Sequence, residues 1–287
     1  MAKQRLDTLL VNLNLCSSRQ QAQALIRTGK VAVNQQLVDK PGTEVDITAT
    51  IQIKERSRFV SRGGEKLAKA LEVFGIPVAG RICLDGGIST GGFTDCLLQA
   101  GAAQVYGIDV GYGQADWGLR NDPRVILKER TNLRYMTAAE LYGDSGRADL
   151  AVVDVSFISL DKILPALWEL LTPPKEAVLL VKPQFEVGRE RVGKKGVVRD
   201  SATQADAIFQ VWKAATALGW EERGLTWSPL LGPAGNIEYL LWLGSDREQQ
   251  SEQNAVEEGV MKERIAQVTQ AARRELVNPA SNLSVSE

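Results

Sequence analysis

The sequence predicts an α/β fold: a mostly parallel sheet with helices on both faces and an antiparallel hairpin at its edge, preceded by a small α+β domain. Three observations carry this. From residue 81 onward, five β-rich runs (RICLDGG, VYGIDVG, RVILKE, DLAVVDV and AVLLVKP) alternate with amphipathic stretches, the pattern of strands joined by helical crossovers. The last two β-rich runs, LTWSPLLGP and NIEYLLWLG, lie too close together for another crossover and should pair antiparallel. Before residue 60, helical periodicity gives way to alternation within about 55 residues, near the lower limit for independent folding.

At roughly 150 residues per domain, 287 residues point to two domains, and 44% apolar residues suffice for their cores. There is no histidine, which excludes Ser/His/Asp and Cys/His triads and His-ligated metals. A general base must therefore be Lys, Asp, Glu, Tyr or Cys. Cys16, Cys83 and Cys96 form no C-x-x-C pair, so neither a disulfide framework nor a metal site is expected. No stretch approaches the ~18 apolar residues of a membrane span, and MAKQRLDTLL lacks a signal-peptide core, so a cytoplasmic protein is expected. Charge is segregated: residues 1–69 carry 12 Lys/Arg against 6 Asp/Glu, residues 70–243 carry 17 against 21, and residues 244–287 carry 5 against 8. A basic leading segment on a mildly acidic body predicts a polyanion-binding module joined to something else.

Along the first segment, Leu6, Leu9, Leu10 and Leu13 repeat at helical spacing, as do Ala22, Leu25 and Ile26. Ser17 or Ser18 can cap the second helix, Ser18 and Gln21 have capping-box spacing, and Gly29 sits where a left-handed C-terminal cap is needed. Val31 and Val33 then alternate with Lys30, Ala32 and Asn34, and Val45, Ile47, Ile51 and Ile53 keep period two after the Pro41-Gly42 turn. The residues RLDTLLVNL, SSRQQAQALIRTGKVAVN and KPGTEV resemble the small RNA-binding domain named after ribosomal small-subunit protein S-four, from Arg5 to about Ile53. The resemblance implies contacts to structured RNA, mostly through phosphates, from Arg5, Arg19, Gln21, Arg27, Lys30 and Lys40. Asn34-Gln35 replaces the family's usual Asn-Gly hairpin turn.

The charged run at residues 54–58 and the glycine break at Ser61–Gly64 place the domain boundary near residue 60. Residues 1–60 then form the basic domain, 61–80 a linker and lead-in helix, 81–244 the α/β domain and 245–287 a polar tail. In the lead-in helix Leu67, Ala70, Leu71 and Phe74 mark one buried face. In the tail Met261, Ile265, Val268, Ala272 and Leu276 permit one amphipathic helix, and the last ten residues are expected to be disordered.

The strongest local signal is CLDGGISTGGFTD, a strand ending at Asp85 followed by a glycine-rich turn and a helix. Glycines there let the backbone approach a ligand, and ligands of open α/β sheets sit outside the carboxyl ends of the strands. The spacing matches neither the dinucleotide fingerprint nor the phosphate loop, which disfavours a pyrophosphate cofactor. Asp109, ending the next strand, is placed to accept hydrogen bonds from a ribose diol, although a tight turn and a surface aspartate would look the same. A second constellation comprises Lys69, Asp154, Lys182 and Glu238. Each has an ordinary structural explanation alone, but Asp154 and Lys182 interrupt apolar runs at strand ends, where ionised groups need partners.

The order of that set, the glycine turn, and the segments FVSRGGEKLAKAL, YGIDVGYGQ, DVSFISL, VKPQFEVGRERVGKKGVVRD and SPLLGPAGNIEY resemble the FtsJ-like ribose 2'-O-methyltransferases. With the N-terminal module, the chain to about residue 243 resembles the TlyA family, historically called hemolysin A. The resemblance implies a Rossmann-like methyltransferase sheet, S-adenosyl-L-methionine as cofactor, and ribosomal RNA or ribosomal subunits as partner. It places Asp85, Gly86, Gly87, Ser89, Thr90, Gly91, Gly92 and Phe93 at the methionine part of the cofactor, Asp109 and Val110 at its ribose, and Asn132 near adenine. Lys182 would be central, as a free-amine base or as an ammonium stabilising the alkoxide, with Lys69, Asp154 and Glu238 orienting. Arg62 and the basic residues Arg189, Arg191, Lys194 and Lys195 of the Pro183–Asp200 connection would meet RNA, the connection closing as a mobile lid. Two departures stand out: Gly86 replaces a small or branched apolar residue, and Lys195 replaces a common glycine. Three rival readings are a membrane-active hemolysin, for which no membrane-active segment is visible, a non-catalytic RNA-binding assembly factor, and a base methyltransferase.

Overall fold

The computed structural model describes residues 2–53, 58–245 and 255–277, which fall into two units dividing between residues 57 and 58. The residues 54–57 of the charged run and the residues 278–287 expected to be disordered lie outside the described residues.

The first unit opens with β1 (Lys3–Arg5), α1 (Leu6–Asn12) and α2 (Arg19–Arg27), followed by β2 (Val31–Val33), β3 (Gln36–Leu37), β4 (Glu44–Asp46) and β5 (Ile51–Ile53). The strands pair as β1-β4 and β3-β2-β5. Leu6, Leu9 and Leu10 of α1 pack on Ala22 and Ile26 of α2 and on Val31, but Leu13 lies beyond the end of α1 and is exposed. Ser18 caps α2, its Oγ accepting from Gln21 N at 3.2 Å. The Gln21 side chain turns back to accept from Ser17 N and Oγ, so this polar group serves the cap. Asn34 and Gln35 both take left-handed φ, +49° and +68°, so the hairpin keeps the backbone an Asn-Gly turn would have. Asn34 Oδ1 secures it by accepting from Thr50 N at 3.0 Å.

The second unit runs α3 (Gly63–Phe74), β6 (Ile82–Gly86), α4 (Gly92–Gln99), β7 (Gln104–Ile108), α5 (Trp117–Arg120), β8 (Val125–Lys128), α6 (Ala138–Tyr142), β9 (Leu150–Val153), α7 (Leu164–Leu170), β10 (Glu176–Val181), α8 (Pro183–Glu186), α9 (Ser201–Thr216), β11 (Glu221–Trp227), β12 (Tyr239–Gly244) and α10 (Ala255–Leu276). The strand order is β11-β12-β10-β9-β6-β7-β8; β6 to β10 are mutually parallel, and β12 is antiparallel to both its neighbours. Both predictions, the parallel sheet and the antiparallel edge pair, hold. α3 and α4 cover one face through Leu67, Ala70, Phe93 and Leu97, and α7 and α9 cover the other through Leu164, Leu167, Ile208 and Val211. α10 joins the second layer: Met261, Ile265 and Ala272 are buried there, and Arg264 donates to Glu222 at 2.6 Å. A stretch whose composition reads as polar tail thus supplies core.

Candidate active site

The carboxyl ends of β6, β7, β9 and β10 open on one edge of the sheet, and β12 starts there because it runs the other way. Sequence order alone therefore delivers Asp85, Asp109, Asp154, Lys182 and Glu238 to that edge. Lys182 follows β10 and is buried; its Nζ lies 2.5 Å from Asp154 Oδ1 and donates to Ser156 Oγ at 3.0 Å. Continuing the β10–β12 register by one residue, beyond Val181 facing Tyr239, sets Lys182 opposite Glu238.

Glu238 is buried and paired, but with Lys66 rather than Lys69: Lys66 Nζ to Glu238 Oε2 is 2.5 Å. Lys69 lies over the indole of Trp227, 4.5 Å from the ring centroid, and burial pulls its pKa down, partly countered by Glu275. The expectation for Lys69 is corrected here, and helix geometry supplies the reason. Positions four apart share a face of α3, so Lys66 falls on the stripe of Ala70 and Phe74, whereas Lys69 is rotated off it. A charge at an apolar position of the stripe was the signal available in the sequence.

The glycine turn packs against this set. Gly87 has φ +90°, and a Cβ there would lie 2.5 Å from the carbonyl oxygen of Asp154, so the turn and the end of β9 approach as only glycine allows. At Gly86 the room a larger residue would take is filled by Leu133, which a Cβ would meet at 2.7 Å. Asp85 is fully buried; Oδ2 accepts from Thr94 Oγ1 at 2.6 Å while Oδ1 has no hydrogen-bond partner. Burial pushes its carboxyl up to about 7, with the charge of Asp154 adding to the effect and Thr94 opposing it. Asp109 braces the turn, accepting from Ser89 N at 2.8 Å and from Gly111 N at 2.7 Å. The segment after β8 lies alongside, Arg130 N and Thr131 N donating to the carbonyls of Gly111 and Asp109. Asn132 Oδ1 caps the turn that follows by accepting from Arg134 N, Val110 is exposed, and Thr90 O accepts from Asp116 N. Phe93, expected at the cofactor, is buried in the cluster that includes Leu67 and Leu97.

Two residues missed in the sequence border Lys182. Phe157 has φ +66° and is 91% exposed, with its ring 5.2 Å from that of Phe185, which itself lies 5.9 Å from Lys182 Nζ. The expected lid is less free than its glycines imply. The buried Asn236 accepts from Val198 N and donates to Gly196 O, and Gln204 donates to Val198 O, so the loop is pinned at its foot. Arg191 engages Asp206 at 2.5 Å, while Arg189, Lys194 and Lys195 are exposed, as is Arg62 at the start of α3. Among the described residues no group of His, Cys, Asp or Glu could hold a metal ion, and no helix is long and apolar enough to cross a membrane.

In the first unit, the buried Asp7 accepts from Arg5 Nε and Nη2 at 3.1 and 2.9 Å, from Arg19 Nε at 3.1 Å and from Gln23 at 2.9 Å. It fixes two guanidinium groups whose outer edges stay exposed. Hydrogen bonding from Arg5 holds its carboxyl far below the usual range. Arg27 and Lys40 are also exposed, and Lys30 is half-buried.

Comparison with known proteins agrees with this geometry. Residues 59–245 match the FtsJ-like methyltransferase family and residues 4–51 the S4 domain. The chain is 49% identical to the 16S/23S rRNA (cytidine-2'-O)-methyltransferase TlyA of Mycobacterium tuberculosis, over 89% of this chain and 95% of that protein. It is 41% identical to the Hemolysin A of Brachyspira hyodysenteriae, over 82% and 98% of the two. A solved structure from Streptococcus thermophilus, described as a hemolysin, superposes with a TM-score of 0.70 at 41% identity, covering 96% of this chain and 97% of that one. The residues here suit the cofactor of such enzymes: an unpartnered buried carboxylate oxygen can receive an ammonium group, and a turn with no room for a side chain can lie against a ligand. With an S4 domain leading a sheet of this order and the charged pairs at its carboxyl edge, the chain belongs to the FtsJ-like family of S-adenosylmethionine-dependent methyltransferases, in the branch that includes TlyA.

Proposed function

We propose that this enzyme methylates a ribose 2'-hydroxyl of ribosomal RNA. The observation that carries the reading is the pair of ion pairs at one sheet edge, Lys182 with Asp154 and Lys66 with Glu238, beside the turn at Gly87. A ribose hydroxyl is a poor nucleophile, and with no histidine the group able to steady its developing charge is the Lys182 ammonium. Asp154 fixes that ammonium. As the oxygen gains the methyl group its proton becomes strongly acidic and passes to solvent water; Lys66 and Glu238 orient the opposite side of the ribose. When bound, S-adenosylmethionine supplies the methyl group on a sulfonium. Asp85 Oδ1 would hold its ammonium, the turn from Gly86 to Gly92 its methionine part, Asp109 its ribose, and the Arg130–Leu133 segment its adenine.

The substrate class follows from the rest of the molecule. One relative named above is a 16S/23S rRNA (cytidine-2'-O)-methyltransferase, and Arg5 and Arg19, held by Asp7, present guanidinium edges suited to phosphates of folded RNA. Arg27, Lys30 and Lys40 add basic groups in the first unit, and Arg62, Arg189, Lys194 and Lys195 add them in the second. Phe157 offers an aromatic face beside Lys182 for the base attached to the reacting ribose. The test incubates purified protein with radiolabelled S-adenosylmethionine and separate small or large ribosomal subunits lacking the modification, then maps alkali-resistant linkages. Label at a 2'-oxygen is expected; label on a base, or RNA binding without transfer, overturns the reading.

A further inference from the structure

We infer that Glu186 is a positioning residue, a clasp that locks the loop carrying Asp154, Ser156 and Phe157 against the segment behind Lys182; the inference rests on the ribose-methylation reading. The loops after the adjacent strands β9 and β10 touch at three places. Near the strands, Lys182 meets Asp154 and Ser156; further out, Phe157 meets Phe185; at the far end, Glu186 Oε2 accepts from Ser159 Oγ at 2.6 Å and from Leu160 N at 3.2 Å, and Oε1 lies 3.1 Å from the same nitrogen.

The β9 loop needs such a clasp. Among the described residues, 155–159 donate no backbone–backbone hydrogen bond, and Phe157 holds a left-handed φ that bulky side chains adopt only when their surroundings impose it. The loop's shape therefore depends on side chains at its two ends. The β10 side is the firmer partner: Pro183 is buried, and Phe185 N and Val187 N close α8 onto Lys182 O and Pro183 O. Leu160 starts the helical run leading into α7, and Ser159 supplies no side-chain cap to it, so Glu186 satisfies an N–H that the loop leaves open. Burial pushes the Glu186 carboxyl up to about 7, opposed by its bonds from Ser159 and Leu160, while Asp161 adds to the rise. The fold tolerates that burial at a place where Glu186 touches no reacting atom.

The test measures methyl transfer to ribosomal subunits by Glu186→Ala, Glu186→Gln, Ser159→Ala and Glu186→Ala/Ser159→Ala, together with cofactor affinity and melting temperature. Glu186→Ala is expected to lower kcat about tenfold while the KM for RNA and the cofactor Kd stay within about twofold, and Glu186→Gln, which keeps an acceptor oxygen, recovers most of it. Ser159→Ala lowers kcat in the same sense, and the double variant is no worse than Glu186→Ala, because both remove one contact. Unchanged kcat in Glu186→Ala, independent losses in the double variant, or a loss that follows melting temperature rather than kcat overturns the clasp. Should Glu186→Ala not fold, Ser159→Ala carries the same outcomes. The unsubstituted protein is measured alongside; if it transfers nothing to ribose, the functional reading falls, whereas an active parent with indifferent variants sinks the clasp alone.

Discussion

The central sheet carries a cluster of partly buried charges at each end, and the two are built differently. At the amino end, Arg81 donates to Asp149 at 2.7 Å, to Glu176 at 2.5 Å and to the carbonyl of Pro77 at 3.2 Å, and Glu176 also accepts from Arg223 at 3.0 Å. Each carboxylate there has an arginine on it, and Glu176 has two. At the carboxyl end, Lys182 and Lys66 each hold one carboxylate, Asp85 keeps an unpartnered oxygen, and Phe157 faces solvent. One cluster places an arginine on every carboxylate and leaves a donor, the buried Arg81 Nη2, without a partner; the other leaves a carboxylate oxygen and an exposed aromatic face for something else. The two clusters therefore differ in which group is left over, a guanidinium nitrogen at one end and a carboxylate oxygen beside an open aromatic face at the other, not in how many charges are gathered.

Substitutions at the two ends should separate stability from activity. The largest effect is expected for Lys182→Ala: methyl transfer falls by about a thousandfold with cofactor binding and melting temperature near those of the parent, read by single-turnover assay and calorimetry. At the opposite end, Arg81→Ala should cost about 3 kcal/mol in urea unfolding, because it strips Asp149 of its partner and weakens the hold on Glu176, while the folded fraction keeps its turnover. A turnover loss exceeding the loss of folded protein would break the contrast. Within the carboxyl cluster, Lys66→Ala should lower kcat about a hundredfold, whereas Lys69→Ala, losing its contact with Trp227, changes it by less than about threefold. The reverse ranking would restore Lys69 to the catalytic set.

A further effect concerns pH. Asp85, with its carboxyl raised to about 7 by burial, is neutral below that pH and charged above it. A cofactor ammonium favours the charged form, so cofactor affinity, measured by isothermal titration, should level off above pH 8 and fall roughly tenfold per unit below pH 7 until the carboxyl of the complex titrates. Asp85→Asn should flatten that profile. A pH-independent affinity in the parent protein would show that Asp85 does not meet the ammonium.

The strands were legible because β6 to β10 lie between helix layers and appear as nearly unbroken apolar runs. Asp154, Lys182 and Glu238 were legible for the same reason, each ending or opening such a run. Lys69 was chosen where Lys66 holds Glu238, although Lys66 sits on the stripe of Ala70 and Phe74 that the sequence already marked. Phe157 and Glu186 left no trace because their roles arise from contact between two loops far apart in order. The glycines of the basic loop suggested motion, yet Asn236, distant in sequence, and Gln204, on the helix that follows, hold its foot. The periodicity of Met261, Ile265, Val268 and Ala272 made α10 legible as a helix, but a segment with so many charges averages out as polar, so its place in the core was not.

That last helix sets an order for synthesis. The residues of the S4 domain leave the ribosome first and make their core from neighbours close in the chain, whereas β10 must wait for β12, and the layer over β11 and α9 waits for Met261 and Ile265. A nascent chain should therefore gain its grip on RNA well before it can close the catalytic half, and a chain cut short before residue 255 would leave an apolar strip of α9 open to aggregation.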